Sequence, residues 1–373
     1  TMGLLGKVCS CSAVLVAVVA VLVSSLGVLG VYSYLDRFVD GDGNRQLMGI
    51  APALHKGTAF GFELADLPDL TGKVMLVTGA NSGLGLATAT HLASKGATVI
   101  LGCRSKAKGV ATAKEIRTLH PKALLEPLVL DLGSFKSIRD AAKEFKIQHN
   151  KLDSLILNAG IALTPFGLTE DGIEQQFGVN HVGHFLLTSL LLPTVQASST
   201  VESPSTVVVV SSMAHFASYP EGVHTSLAAL NNKEMYAADN AYGQSKLANV
   251  LFAQELAMRV KNGVLVNSVH PGGVISNLLR NVADQIRTAL PAAIGPHVAA
   301  AVIATINSMF WDAEIAALTS LYAAVSPELK KNKTTGAYFH PIARINKPCA
   351  KHSGNITLQK ALWELSEILI APK

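Results

Sequence analysis

Short apolar runs alternate with longer stretches of helical periodicity through most of the chain. The runs consist mainly of Val, Leu and Ile, which is typical of strands buried on both faces of a parallel sheet. The alternation of strands and helices predicts an α/β fold with a single doubly wound parallel sheet and helices on both of its faces. The predicted strands are 73–77, 97–101, 128–130, 155–157, 207–210 and 264–269, and the principal predicted helices are 86–95, 134–149 and 241–260.

A longer apolar segment lies near the start of the chain. Residues 13–31 carry no charge, and at ~1.5 Å per residue their length approaches the roughly 30 Å hydrocarbon core of a bilayer. Lys7 precedes this segment and Asp36-Arg37 follows it. We therefore predict that residues 1–35 form an N-terminal transmembrane helix that anchors the chain; a cleaved signal peptide and a buried core helix are the alternatives.

The rest of the chain is predicted to hold one domain and its lead-in. Residues 36–70 contain a Gly-Asp-Gly-Asn run and scattered prolines, a composition typical of a linker. The alternating pattern begins directly afterwards, so we assign residues 71–373 to a single folded domain.

Composition narrows the classes of protein that this pattern allows. Hydrophobic residues make up 49% of the 373 and charged residues 15%, which excludes a disordered or collagen-like chain. Lys plus Arg number 31 against 26 for Asp plus Glu, with no basic cluster, so no nucleic-acid partner is expected. The cysteines show neither metal-ligand nor disulfide-framework spacing, so no metal site is expected; they are Cys9, Cys11, Cys103 and Cys349.

A glycine-rich turn joins the first predicted strand to the first predicted helix. It reads Thr-Gly-Ala-Asn-Ser-Gly-Leu-Gly over residues 78–85. Glycines in such a turn allow the backbone to approach a pyrophosphate closely, and the helix that follows offers free N–H groups to the anion. The strand, turn and helix predict a dinucleotide site of Rossmann type, although the Gly-x3-Gly-x-Gly spacing differs from the general GxGxxG fingerprint.

Arg104 follows the second predicted strand, at the place where an acidic residue would bind the ribose 2′-hydroxyl of NAD. No acid occurs there, and a guanidinium suits a 2′-phosphate. We therefore predict NADP(H) in preference to NAD(H), with a solvated surface arginine as the alternative. Because ligands of such sheets gather at the carboxyl ends of the strands, Gly79, Arg104, Asp131 and Asn158 are expected to border one cleft.

Tyr242 and Lys246 lie four residues apart in the last predicted helix and therefore project from one face. A phenol with an ordinary pKa of about 10 exchanges protons poorly at neutral pH, and a nearby ammonium lowers that pKa. Ser211 and Ser212 follow the fifth predicted strand, where a hydroxyl can hold a reacting carbonyl or alcohol oxygen. The combination predicts hydride transfer with a nicotinamide, whereas an isolated YxxxK pair is more often an ordinary helix pair.

In this order along the chain, the motifs resemble those of the short-chain dehydrogenase/reductase family. The resemblance covers roughly residues 70–369, and within the family the chain looks most like the microsomal retinol dehydrogenases and related membrane-anchored reductases. It rests on residues 78–85, Asp131-Leu132, Asn158-Ala159-Gly160, Asn180, Ser212, Tyr242-x3-Lys246 and His270-Pro271-Gly272, with local strings at 102–104, 179–185, 211–215, 245–249, 336–339 and 362–366.

The resemblance implies a role for each matching residue. Tyr242 would exchange the proton, Lys246 would lower its pKa and bind the nicotinamide ribose, and Ser212 rather than Ser211 would hold the substrate oxygen. Asn180 would keep a water and Lys246 in a proton relay; a polar helix residue satisfied locally is the alternative. The cofactor would contact Gly79, Ser82, Gly83, Leu84, Arg104, Asp131, Leu132, Asn158, Gly160, Tyr242, Lys246, Pro271 and Gly272.

Residues 282–310 are unusually apolar and lie where this family places its substrate lid. Together with the anchor, they predict a small apolar aldehyde, ketone or alcohol, such as a retinoid or a steroid, as the substrate. A core-packing helix or the subunit interface of a homodimer is the alternative for this segment. The resemblance further implies a single-pass protein of the endoplasmic reticulum membrane, in contact with its lipid bilayer.

Some features depart from the family pattern or leave a second class of protein open. Ser82 stands where many relatives carry a basic residue for the 2′-phosphate, and Ser276 is the nearest candidate for a threonine that many carry after Gly272. A non-catalytic dinucleotide-binding scaffold or sensor, and a lyase- or epimerase-type relative, remain alternatives to an oxidoreductase.

The motif histidines are expected to serve packing and backbone hydrogen bonds; they are His181, His184, His215 and His270.

Overall fold

Alternating strands and helices occupy most of the part of the chain that the computed structural model describes, residues 61–274, 311–346, 348 and 350–372. The predicted anchor (1–35), the predicted lid (282–310) and Ser276 lie outside these residues. Among the described residues, no helix combines the length and the apolar character needed to cross a bilayer.

The described strands form one sheet. They are β1 (Val74–Thr78), β2 (Thr98–Cys103), β3 (Leu124–Val129), β4 (Ser154–Leu157), β5 (Thr206–Val210), β6 (Leu265–Val269), β7 (Tyr338–His340) and β8 (Arg344–Asn346). Their order across the sheet is β3-β2-β1-β4-β5-β6-β7-β8. The pairs from β3 to β7 are parallel and β8 pairs antiparallel with β7, so the predicted parallel sheet is confirmed.

The longer helices connect or cover these strands. They are α1 (Gly83–Ser94), α2 (Lys106–Leu119), α3 (Phe135–Gln148), α4 (Gly183–Ser198), α5 (Ala238–Arg259), α6 (Ala313–Val325) and α7 (Ile356–Ile370). Ser134 is the N-cap of α3, as a Ser before an apolar-periodic stretch predicts, and its hydroxyl accepts a hydrogen bond from Ser137 N. Helix α5 begins three residues before the predicted start, and Ala237 at its N-cap has no side chain that could mark it.

Two layers of helix cover the two faces of the sheet. Successive residues of a strand point to opposite faces, and Leu76 and Val207 lie on the face that packs against Phe145 of α3, Phe185 of α4 and Phe252 of α5. The opposite face carries α1 and α6, which pack against each other and against the central strands. The predicted doubly wound arrangement is therefore confirmed.

The residues that lead into β1 pack on the same domain. Leu67 and Leu70 are buried, and the Phe62 ring meets the Tyr322 ring of α6 edge-on, with 5.2 Å between ring centres. Helix α7, near the other end of the chain, covers α5, where the Trp363 ring lies against the Phe252 ring with ring centres 6.0 Å apart.

Candidate active site

The glycine turn after β1 has the conformation that only glycine adopts without strain. Gly79 has φ +67° and Gly83 has φ +51°, both in the left-handed region. A Cβ at Gly85 would overlap the Gly79 carbonyl oxygen and would lie 2.5 Å from Asn158 Nδ2. The turn therefore packs tightly on the end of β4 and leads straight into α1, whose N-cap is Ser82.

Thr78, the last residue of β1, holds the start of the loop after β4. Its hydroxyl oxygen accepts hydrogen bonds from the backbone N–H groups of Asn158 and Ala159, each at 2.9 Å, and its carbonyl accepts one from Asn158 Nδ2 at 2.9 Å. The same hydroxyl lies 2.9 Å from His184 Nε2. The Asn158 side chain thus braces the sheet beside the glycine turn.

Two basic side chains stand at the carboxyl end of β2. Arg104 and Lys108 are exposed, and neither forms an ion pair within the described part of the chain. Ser105 caps α2 between them by accepting a hydrogen bond from Lys108 N at 3.4 Å. Sequence reasoning missed Lys108, although its place four residues after Arg104, at the start of a helix, could have indicated it.

The two predicted residues after β3 have different surroundings. Asp131 is half-buried, and its Oδ1 accepts a hydrogen bond from Gly133 N at 2.9 Å. Leu132 is 5% exposed and belongs to the core under the sheet, so its side chain does not face the cleft, and its backbone lies against Gly183.

The side chains of the two serines after β5 make different contacts. The Ser211 hydroxyl is buried and donates to the carbonyl oxygen of Lys246 at 2.7 Å. Ser212 is half-buried, and its hydroxyl accepts from Ala214 N at 3.1 Å and lies close enough to the Tyr242 phenol to affect its pKa. Ser211 therefore joins β5 to α5, which leaves Ser212 as the serine beside the phenol.

Tyr242 is half-buried on α5, and the loss of solvent around it raises the pKa of its phenol above the ordinary value. The neighbouring Ser212 hydroxyl lowers the same pKa, but its effect is smaller than that of burial. Protein groups alone therefore move this pKa upward, opposite to the direction that the nearby ammonium led us to expect. The predicted lowering combined Lys246 with the positive ring of a bound nicotinamide, so it stays a prediction for the complex.

Lys246 lies one helical turn after Tyr242 and is 4% exposed. Its Nζ is 5.8 Å from the centre of the Tyr242 ring and donates to the Val210 carbonyl oxygen at 3.2 Å. Burial lowers the pKa of this ammonium to about 8. The side chain is therefore fixed against β5 and points to the cleft between β5 and β4.

Asn180 lies in a π-helical segment, Gly178–Val182, immediately before α4. Its amide pairs with both backbone polar groups of Ile161, accepting from Ile161 N at 2.8 Å and donating to Ile161 O at 2.9 Å. It also donates to Ser245 Oγ at 2.9 Å. A Cβ at Gly160 would lie 3.2 Å from Asn180 Oδ1 and 3.3 Å from Lys246 Nζ, so Gly160 leaves open the space between them.

Pro271 and Gly272 follow β6 and complete the cleft. Gly272 has φ +88°, and its N–H donates to His270 Nδ1 at 3.0 Å.

Burial lowers the pKa of His184 and of His215 to about 4, and it holds the pKa of His270 well below its ordinary value. These imidazoles are neutral at physiological pH, and each has a backbone group as partner, as predicted for structural histidines.

The strand ends therefore bring most of the predicted groups to one edge of the sheet. The glycine turn, Arg104, Asn158, Ser212 and Gly272 follow β1, β2, β4, β5 and β6 in that order. Helix α5 adds a phenol and an ammonium to the same edge. A proton donor, an ammonium and a hydroxyl beside a pyrophosphate-type turn can together support a hydride and proton transfer.

Comparison with known proteins relates this chain to one family. The family model of the short chain dehydrogenases matches residues 73–287. Human retinol dehydrogenase 13 is 39% identical over 307 residues, which cover 81% of this chain and 85% of that protein. Human retinol dehydrogenase 11 is 47% identical over 213 residues, which cover 57% of this chain and 64% of that protein.

Solved structures share the fold. The structure described as the RhlG/NADP active-site complex of Pseudomonas aeruginosa is 25% identical to this chain and superposes with a TM-score of 0.54. The alignment covers 73% of this chain and 95% of that one.

Proposed function

The chain belongs to the short-chain dehydrogenase/reductase family, and from that premise we propose an NADP(H)-dependent oxidoreductase that interconverts an apolar alcohol and its aldehyde or ketone. The family and the retinol dehydrogenase relatives support an oxidoreductase that acts on alcohols and carbonyls. One observation carries the finer proposal: the Ser212 hydroxyl lies close enough to the Tyr242 phenol to lower its pKa, and Lys246 Nζ lies 5.8 Å from the centre of that ring.

The residues at the strand ends fit a nicotinamide dinucleotide. Gly79 and Gly83 present backbone without side chains at the start of α1, where free N–H groups favour a pyrophosphate. Arg104 and Lys108, exposed and without ion-pair partners among the described residues, suit the additional 2′-phosphate of NADP(H). The NADP complex of a structural relative supports the same class of cofactor.

The further cofactor contacts of the proposal lie along the same edge. Ser82 and Leu84 belong to the glycine turn and the first turn of α1. Asp131 would contact the adenine end and Leu132 could do so only through its backbone. Asn158, Gly160, Pro271 and Gly272 would line the nicotinamide half.

The proposed chemistry divides between the cofactor and three side chains. When bound, the reduced nicotinamide supplies the hydride. Ser212 holds the carbonyl oxygen of the substrate and Tyr242 donates a proton to that oxygen as negative charge develops on it. Because burial raises the pKa of Tyr242, the phenol stays protonated at neutral pH, a state that suits carbonyl reduction. In the oxidative direction, Tyr242 accepts the proton.

Lys246 and Asn180 support this exchange. The Lys246 ammonium offsets negative charge on the Tyr242 oxygen. Asn180, across the space left by Gly160, would hold a water that returns the proton through Lys246. The Ser245 hydroxyl accepts from the Asn180 amide and donates to the Tyr242 carbonyl oxygen at 2.8 Å. Ser245 therefore joins the proposed relay directly to the helical turn that carries Tyr242.

For the substrate, the proposal is a small apolar carbonyl compound taken from a membrane. The relatives with the name retinol dehydrogenase and the apolar sequence of residues 282–310 support it. The anchor at residues 1–35, the linker at 36–70 and the catalytic domain at 71–373 remain predictions. The same holds for residence in the endoplasmic reticulum membrane and for a homodimer.

A substrate screen with both cofactors tests the proposal. The full chain in detergent micelles would be mixed with retinal, steroid ketones and alkyl aldehydes, and the absorbance of reduced nicotinamide would be followed. We expect turnover of at least one apolar carbonyl, faster with NADPH than with NADH. Binding of NADPH without turnover of any of these compounds would instead support the scaffold or sensor.

A further inference from the structure

Gln176 is a buried amide that none of the family motifs in the sequence includes. Its exposed fraction is 0%, and every hydrogen-bonding group of the side chain has a partner. The Oε1 atom accepts from Leu163 N at 2.8 Å, and Nε2 donates to the Tyr236 hydroxyl at 2.7 Å and to Ala238 O at 2.9 Å. One side chain thus binds three residues that lie in two separate segments of the chain.

These two segments border the proposed site. Leu163 lies in the loop that starts at Asn158 after β4 and is held there in the left-handed region, with φ 54°. Ala238 is the first residue of α5, one helical turn before Tyr242. Gln176 therefore connects the loop beside the proposed nicotinamide site to the first turn of the helix that carries the proposed proton donor.

Tyr236 strengthens the same connection. Its hydroxyl accepts from Gln176 and donates to Thr164 O at 2.7 Å. Its ring meets the Phe166 ring edge-on, with 5.3 Å between the ring centres. The loop is held a second time by Asn180, one helical turn after Gln176, through both polar groups of the Ile161 backbone.

We propose that Gln176 is a positioning residue for the reaction: with Tyr236 it sets the separation between the loop at 161–164 and the first turn of α5. This inference rests on the proposed function, because it concerns where the Tyr242 hydroxyl stands relative to a substrate held by Ser212. Catalysis depends steeply on such placement, since a displacement of about 1 Å can cost about a hundredfold in rate.

The test compares three variants of the full chain in detergent micelles. Gln176→Met keeps the length of the side chain and removes its hydrogen bonds. Tyr236→Phe keeps the ring against Phe166 and removes the hydroxyl. Gln175→Met, the same change one residue earlier, is the matched control because no hydrogen bond of the Gln175 side chain is found within the described residues.

We expect Gln176→Met to lower kcat by about tenfold or more, while the Kd for NADPH, measured by nicotinamide fluorescence, stays within about twofold. Tyr236→Phe should lower kcat by a smaller factor, and the double variant should lose no more than Gln176→Met alone, because both changes act on one linkage. A kcat for Gln176→Met within about twofold of wild type, or an equal loss in Gln175→Met, would overturn the inference. If Gln176→Met does not fold, Tyr236→Phe carries the same test.

Hydrogen exchange separates this inference from the proposed function. Amides of residues 161–164 and of the first turn of α5 should exchange faster in Gln176→Met than in wild type and in Gln175→Met. If the wild type reduces no carbonyl, the proposed function fails while the exchange result still reports on the linkage. Unchanged exchange in Gln176→Met would reject the linkage even in an active enzyme.

Discussion

The ammonium of Lys246 is bound to the carbonyl oxygen of Val210 at 3.2 Å. Val210 is the last residue of β5, and the serines that follow it include Ser212. Since Ser211 also donates to the carbonyl oxygen of Lys246, two hydrogen bonds fasten the turn of α5 after Tyr242 to the end of β5. The relative placement of the proposed serine, phenol and ammonium therefore depends on contacts within the protein.

This placement predicts a pH dependence. Burial lowers the pKa of Lys246 to about 8, so the side chain is an ammonium below that pH and neutral above it. If the charged form is the active one, kcat/KM for carbonyl reduction should fall as pH rises through about 8, since this parameter reports ionisations of the enzyme form that binds the carbonyl compound. A profile measured at saturating NADPH would check this.

Lys246→Arg provides the control for that profile. A guanidinium keeps its charge throughout the range, so the variant should be slower than wild type but should not show the fall. A wild-type profile that stays flat to about pH 10, or the same fall in both proteins, would contradict the assignment.

Arg104→Asp should move cofactor preference from NADP(H) toward NAD(H). A carboxylate repels the 2′-phosphate and accepts from a free 2′-hydroxyl, so kcat/KM with NADPH relative to NADH should fall by about a hundredfold or more. Lys108→Ala should shift the ratio in the same direction by less. The exposed Lys106 of the same helix turn supplies the control, and Lys106→Ala should leave the ratio unchanged. An unaltered ratio in Arg104→Asp would defeat the assignment.

The buried imidazole of His184 predicts a loss of stability in acid. His184 is held between Asn180 O and the Thr78 hydroxyl, and burial lowers its pKa to about 4. An unfolded histidine binds a proton near pH 6.5. The neutral His184 therefore contributes fully to the free energy of unfolding above that pH, and this contribution is lost as pH falls toward 4. The difference between the pKa of His184 in the unfolded chain and in the folded chain corresponds to about 3 kcal/mol of unfolding free energy.

Urea unfolding at several pH values would measure this effect. In His184→Phe, the slope of unfolding free energy against pH between about 6.5 and 4 should be smaller by about one proton. The variant should also be less stable at neutral pH, because Thr78 loses a partner. An identical slope in both proteins would show that His184 is already protonated in the folded state.

The sheet could be predicted from sequence where strands are unbroken apolar runs. At β1 the predicted and observed bounds differ by one residue at each end, and at β5 they differ by one residue at the start only. At β3 the predicted strand began at Leu128, because Glu126 and Pro127 interrupt the run; proline is tolerated there since β3 is an edge strand. The three-residue strands β7 and β8 were not predicted, because so short a run carries no period.

The site residues also divide into those that could be predicted from the sequence and those that could not. Residues that follow strands, such as Asn158 and Ser212, could be placed at the cleft because parallel strands end at one edge. The linkage of Gln176 to Ala238 could not, since it joins residues 62 positions apart through one side chain. The pKa of Tyr242 in the protein alone also depends on burial, which a motif does not encode.

Tyr242→Phe tests the central claim most directly, because it removes the hydroxyl and keeps the ring. The measurement is kcat for reduction of the best apolar carbonyl of the screen, together with the Kd for NADPH from nicotinamide fluorescence. We predict a kcat about a thousandfold below wild type with a Kd changed by less than about twofold, the loss expected when a general acid is removed. A variant that binds NADPH and still reduces the substrate at the wild-type rate would contradict the account.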